Sequence, residues 1–164
     1  DVARAIRTRL PMAVLMLEPD LLGEDTGGAR QDGESLLCSM VELVQNRIRS
    51  QDIVGRYGAC ELLLVLPDTS AQGAARLAEQ LCDAARDLPP LPGGAPALTL
   101  SVGVFGGRLE PGDSWDQLIH AADQALEQAR QYGGNRVHTT ATLGRMAHAG
   151  MMTSSHATFP TSLH

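Results

Sequence analysis

The chain has 164 residues, 43% of them hydrophobic and 20% charged, with a formal net charge of −6. That length suits one domain with its own core, domains of roughly 100 to 150 residues being the commonest, and no apolar run approaches the ~18 residues of a membrane span. The acidic balance and the 3% aromatic content exclude a surface that tracks DNA or RNA by neutralising phosphates and stacking bases, so any nucleotide must be held at a compact local site. Cys38, Cys60 and Cys82 are odd in number and contain no C-x-x-C, which argues against a disulfide framework or a zinc site and for a reducing cytoplasm. All 13 basic residues are Arg, a planar fork suited to guanine or phosphate edges.

The start, "DVARAIRTRLPMAVLML", pairs basic residues with an apolar run but offers no small-residue cleavage site, and reads as a helix entering a strand. Residues 12 to 18, "MAVLMLE", form a continuous apolar run of strand length, which predicts a central strand covered on both faces. The Gly- and Asp-rich stretch "PDLLGEDTGGARQDG" reads as a loop. From Glu34 to Ser50, Leu36, Leu37, Met40, Val41, Leu43, Val44 and Ile48 recur at helical spacing. Two short strands near 53–57 and 61–66 follow as a hairpin, closed by "PDTS", where Asp68 or Ser70 can cap the next helix. Leu77, Ala78, Leu81, Cys82 and Ala85 line one face of that helix, which ends before the loop "LPPLPGGAP". "ALTLSVGVF" is a strand; "SWDQLIHAADQALEQARQYGG" is a helix with Ser114 as N-cap and Gly133 or Gly134 as its stop; "NRVH" is a short last strand. After His138 the composition turns to Thr, Ser, Met, His and Ala without a period. Residues 1–138 are therefore expected to form the domain and 139–164 a tail or linker, with His148, His156 and His164 solvated rather than metal-bound.

The order β-α-β-β-α-β-α-β with a central hairpin predicts an α/β fold, a ferredoxin-like β-α-β-β-α-β palm with an added helix and strand and a mostly antiparallel sheet. Such a fold hosts many activities, and function has to come from the site.

Three motifs carry a resemblance. "DIVGRYGACELLLVLPDT", "LTLSVGVF" and "AADQALEQARQYGGNRV" resemble, in order and spacing, the D-x-x-x-R-Y-G-G-D-E-F hairpin, the T-x-S-x-G-V strand and the A-D-x-A-L-Y-x-A-K-x-x-G-R-N-x-V helix of the GGDEF family, the diguanylate cyclase domains that condense two GTP into cyclic di-GMP. The resemblance runs from about residue 10 to residue 138. It implies a reaction in which a ribose 3′-hydroxyl attacks an α-phosphate with the help of a divalent metal held by two carboxylates. On this chain those positions fall at Glu18 and at Cys60, whose neutral thiol is a soft ligand unsuited to magnesium. The second hairpin glycine is Ala59, whose Cβ limits positive φ and close approach. Glu61 is retained. The guanine-reading Asn of the first loop has no counterpart, although Gly33-Glu34 resembles the family's Gly-Asp. The phosphate-contacting Lys is Arg130, and the Arg of the G-R-N is Gly134. The implied domain is a degenerate cyclase with no catalytic residues and no magnesium. Cys60 itself reads as a small turn residue, since no His or Lys lies near it in sequence to activate its thiol.

In "RSQD", Arg49 and Asp52 stand where the family's inhibitory Arg-x-x-Asp site binds cyclic di-GMP. An Arg fork can donate to guanine O6 and N7 while a carboxylate accepts from N1 and N2, and three residues apart on a helix end they would share a face. Arg76 and Gln80, in the helix after the hairpin, are the further candidates for this site. Three functions compete on this reading: a cyclic di-GMP receptor in bacterial signalling, a ligand-free interaction or dimerisation module, and a weak cyclase or GTP-binding domain using Glu18 and Glu61. The chain lacks the family's leading D-x-L-T-G-L-x-N-R segment, which implies a piece of a longer protein whose neighbouring signalling domain is a partner; a homodimer is another.

Overall fold

The computed structural model describes residues 1–20, 33–89 and 98–144. Most of the Gly/Asp-rich loop, most of the Pro/Gly loop and the three C-terminal histidines lie outside the described residues.

In chain order the elements are α1 (Val2–Thr8), β1 (Pro11–Pro19), α2 (Gly33–Gln45), β2 (Ile53–Arg56), β3 (Leu62–Pro67), α3 (Ala71–Arg86), β4 (Leu100–Arg108), α4 (Trp115–Gln131) and β5 (Arg136–Thr140). The strands make one sheet in the order β2-β3-β1-β4-β5. All neighbours are antiparallel except β4 and β5. β1 is the middle strand, as its unbroken apolar run requires. Ala13, Leu15 and Leu17 face a core shared with α2 and α3, whereas Met12, Val14 and Met16 face a second core shared with α1 and α4. Alternate side chains of one strand thus enter two different cores, and neither face can carry a polar residue.

Helix ends follow their caps. Ser70, not Asp68, caps α3, its Oγ accepting from the Gly73 N–H at 3.0 Å, while Asp68 sits at φ 51 in the turn before it. Ser114 and Gln117 form a reciprocal capping box at α4. α4 stops where Gly133 and Gly134 take φ 106 and 70, with Gly134 N–H reaching Ala129 O at 3.0 Å and Gly133 N–H reaching Arg130 O at 2.9 Å, the Schellman pattern. α3 lays Ala74, Ala78, Leu81, Cys82 and Ala85 on the sheet. Burial pushes the Cys82 thiol up to about 11, so this cysteine is a protonated core residue.

Two boundaries differ from expectation. α2 ends at Gln45 rather than Ser50, because Arg47 N–H turns to Val44 O at 2.9 Å and its side chain caps Leu43 O at 3.0 Å. β5 runs past His138 to Thr140, and Leu143 is buried against the α1 and α4 core, so the packed chain continues beyond the 138 boundary.

Candidate functional site

The register fixes two separate regions at opposite ends of the sheet. Leu17 of β1 pairs with Leu62 at the start of β3, and Met12 pairs with Pro67 at its end. Glu18 and the β2–β3 hairpin therefore share one end, whereas Pro67 and the turn before β2 share the other, about five residues or ~17 Å of strand away.

At the first end, Tyr57 N–H donates to Glu61 O at 2.8 Å to close the hairpin. Arg56 folds over the turn, its Nε donating to Gly58 O at 3.1 Å and its Nη2 to Ala59 O at 2.9 Å. Neither Gly58 nor Ala59 is among the positive-φ residues. With Ala59 at this position, the hairpin turn closes without a left-handed residue at either. Ala59 is exposed and Cys60 half-buried.

Arg130, from the last turn of α4, lies between this hairpin and β1. Its Nε and Nη2 donate to the two carboxylate oxygens of Glu18. Its Nη1 donates to Glu127 at 2.9 Å, and Glu61 stands 3.9 Å from its Nη2. The Glu18 hydrogen bonds, outweighing the opposite effect of burial, push the Arg130 pKa further up. The arginine assigned to a phosphate from sequence is therefore turned onto the acid assigned to a metal. A hard divalent cation is held by carboxylate oxygens, but both of those on Glu18 already accept from Arg130 and the hairpin offers sulfur at Cys60. This donor set does not fit the family's metal.

Beside it lies a cluster that sequence reasoning missed. Asp20, at the exit of β1, accepts from Thr99 Oγ1 at 2.8 Å, from Ser101 Oγ, and from Asn135 N–H at 2.7 Å. Asn135 Oδ1 in turn accepts from Arg86 Nη1 at 2.7 Å. A Cβ on Gly134 would stand 2.7 Å from Asp20 Oδ1. The glycine read as a lost phosphate contact thus has a local cause, the carboxylate against it. The signal was present in Ser101 and Thr99 of the strand motif, but their partner is some eighty residues earlier. A shallow open groove of about 450 Å³ between α4 and β5 shares Glu127 with this region and no residue of the hairpin.

At the other end of the sheet Arg49 and Asp52 do meet, but not on a helix. They bracket the turn after α2, where Asp52 N–H donates to Arg49 O at 3.1 Å and Arg49 N–H donates to Asp52 Oδ2 at 2.8 Å. Arg49 Nε reaches Asp52 Oδ2 at 3.4 Å and Nη2 reaches Oδ1 at 3.3 Å. Nη2 also donates to Pro67 O at 3.2 Å and to Thr69 Oγ1. The Arg49 side chain is 49% exposed and that of Asp52 3%. Arg76 and Gln80 are exposed on α3, and among the described residues no hydrogen bond or ion pair joins either to Arg49 or Asp52.

The family model described as "Diguanylate cyclase, GGDEF domain" matches residues 2–136, and the chain belongs to that family. It is 34% identical over 143 residues to diguanylate cyclase DosC of Escherichia coli K12, covering 84% of this chain and 30% of that one; it spans about a third of such relatives. Among solved structures it matches the active GGEEF domain of a diguanylate cyclase from Vibrio cholerae at 30% identity and TM-score 0.73, covering 85% of this chain and 89% of that one. The GGDEF domain of DgcB from Caulobacter crescentus, solved in complex with c-di-GMP, shares the fold at 23% identity and TM-score 0.72, over 84% and 82% of the two chains. Among the described residues no helix is long and apolar enough to cross a membrane.

Proposed function

We propose that this GGDEF domain does not cyclise GTP and serves instead as a cyclic di-GMP receptor through Arg49, as one part of a longer bacterial signalling protein. The observation that carries the reading is the arginine on Glu18: of the two positions that the reaction needs as metal carboxylates, one offers a carboxylate already paired with Arg130 and the other, Cys60, offers a thiol. The receptor half is supported by an exposed guanidinium at the Arg-x-x-Asp register, at the opposite end of the sheet from the hairpin. The GGDEF domain of DgcB, of the same fold, was solved in complex with c-di-GMP.

Chromatography of a GTP reaction containing magnesium or manganese is expected to show no cyclic di-GMP, and steady production by the purified domain would sink the reading. Cys60→Asp alone is expected to leave turnover undetectable, because groups that act as a unit are not restored one at a time and Glu18 stays paired. Calorimetry is expected to show cyclic di-GMP binding in preference to GTP and cyclic di-AMP. Arg49→Ala should weaken that binding roughly ten- to a hundredfold, the ~1–3 kcal/mol of one bidentate base contact, while Cys60→Ala should leave it intact.

One observation favours a second reading, a ligand-free interaction module. Asp52, Pro67 and Thr69 already satisfy much of the Arg49 fork. No heat with any of the three nucleotides would select this module.

A further inference from the structure

Packing places Arg130 before charge does. On α4 it follows Leu118, Ala122 and Leu126 at steps of four, on the stripe that lies against the sheet. That stripe is pressed close to β4, where an added Cβ on Gly103 would stand 2.1 Å from Ala122 O. Beneath it, Glu18 follows Met12, Val14 and Met16 on the same face of β1. The two side chains therefore converge where α4 ends and β1 exits. Nε and Nη2 of the arginine each meet one oxygen of the glutamate. A lysine, which is a point charge, could not make that two-pronged pair. Nη1 is engaged by Glu127 at 2.9 Å, and Glu61 stands 3.9 Å from Nη2.

We infer that this end of the sheet is closed by its own side chains: Glu18 sits on the Arg130 guanidinium as an internal anion and keeps nucleoside triphosphates off it. The inference rests on the reading of this end as non-catalytic and deepens it, from a site that does not turn GTP over to one that does not hold it. Carboxylate and phosphate compete for the same fork, because each offers two oxygens to its parallel N–H groups. The carboxylate is tethered on β1 and already in place, whereas a free ligand loses translational and rotational freedom on arrival. Displacing it would leave Glu18, with 18% of its side chain exposed, without its cation. Three carboxylates, those of Glu18, Glu61 and Glu127, meet this one guanidinium, so an arriving polyphosphate is also repelled.

The test measures binding rather than turnover, on the whole domain in metal-free buffer, with inorganic tripolyphosphate and GTP as probes. Wild type is expected to show no saturable binding of either below about 1 mM. Glu18→Gln keeps the shape and removes the charge, and is expected to bind tripolyphosphate roughly tenfold below that limit or tighter, the worth of a hydrogen bond to a charged group. Adding Arg130→Gln to it should abolish the gain. Equal binding by wild type and Glu18→Gln, or a gain that survives the loss of Arg130, overturns the inference. NMR on the wild type gives a check that needs no variant to fold. The Arg130 Nε–H is expected to exchange slowly and to stay unshifted as tripolyphosphate is added. A signal exchanging as fast as that of exposed Arg76, or one that moves with the anion, overturns the closure too. The two readings fail differently: cyclic di-GMP made from GTP and magnesium sinks both, whereas GTP held by wild type with no product in the magnesium reaction sinks the closure alone.

Discussion

Gly103→Ala is expected to cost about 3 kcal/mol or more of stability, at the upper end of what overpacking a core does, and to lower Tm by roughly 10 °C for a domain of this size. α4 crosses β4 at Gly103 so closely that an added Cβ would stand 2.1 Å from Ala122 O and 2.2 Å from Leu126 N. Those are backbone atoms in the middle of a helix, with no side chain to swing aside, so the helix must move off the sheet as a body. Lifting it would unpack Leu118, Ala122 and Leu126, all fully buried. Arg130 would be carried away from Glu18 by the same movement. Gly55→Ala is the control: nothing lies within 4 Å of its added Cβ, and a change within about 0.5 kcal/mol is expected. Urea unfolding of the two variants beside wild type measures both, and a Gly103→Ala protein as stable as wild type would disprove the α4–β4 contact.

How much of this was legible follows from the range of each interaction. The central strand could be read because burial on both faces leaves a local trace, an apolar run without alternation. Ser114 and the paired glycines of α4 could be read because caps are encoded within a few residues of the helix end. The end of α2 could not. Ile48 continues the apolar period, but Asp52 and Arg49 hold a turn by hydrogen bonds that periodicity does not see. For the same reason Arg49 and Asp52 were found as a pair and assigned the wrong geometry. Arg130 and Glu18 are 112 residues apart, and each alone resembled a familiar part of a nucleotide site. Their mutual neutralisation exists only once β1 and α4 are packed together. Gly134 shows the converse: a residue read as a loss of function packs directly against the carboxylate of Asp20, with a φ of 70 that favours glycine.

Asp20→Ala is expected to destabilise by about 3 kcal/mol, since each donor left buried without an acceptor costs roughly 1–3 kcal/mol. Ser101 is fully buried and its hydroxyl gives its hydrogen bond to Asp20, so the alanine removes the acceptor of a buried donor. Asn135 N–H loses its acceptor at the same time, in a turn where Gly134 and Asn135 both hold positive φ and depend on that anchor to stay there. Asp20→Asn preserves the shape and one acceptor oxygen, and about half of the loss is expected, the remainder reflecting the stronger bonds that a charged acceptor makes. Hydrogen exchange separates the local from the global effect: the amides of Gly134 and Asn135 should exchange faster in both variants, and so should those of the last turn of α4, which carries Arg130. The amides of Arg49 and Asp52 should be unchanged, because β1 and β3 put that turn at the far end of the sheet. Cyclic di-GMP binding by folded Asp20→Asn should accordingly stay within about twofold of wild type, a difference under 0.5 kcal/mol. A larger loss would mean that the two ends of the sheet are coupled, and that the arginine holding Glu18 also governs what Arg49 can bind.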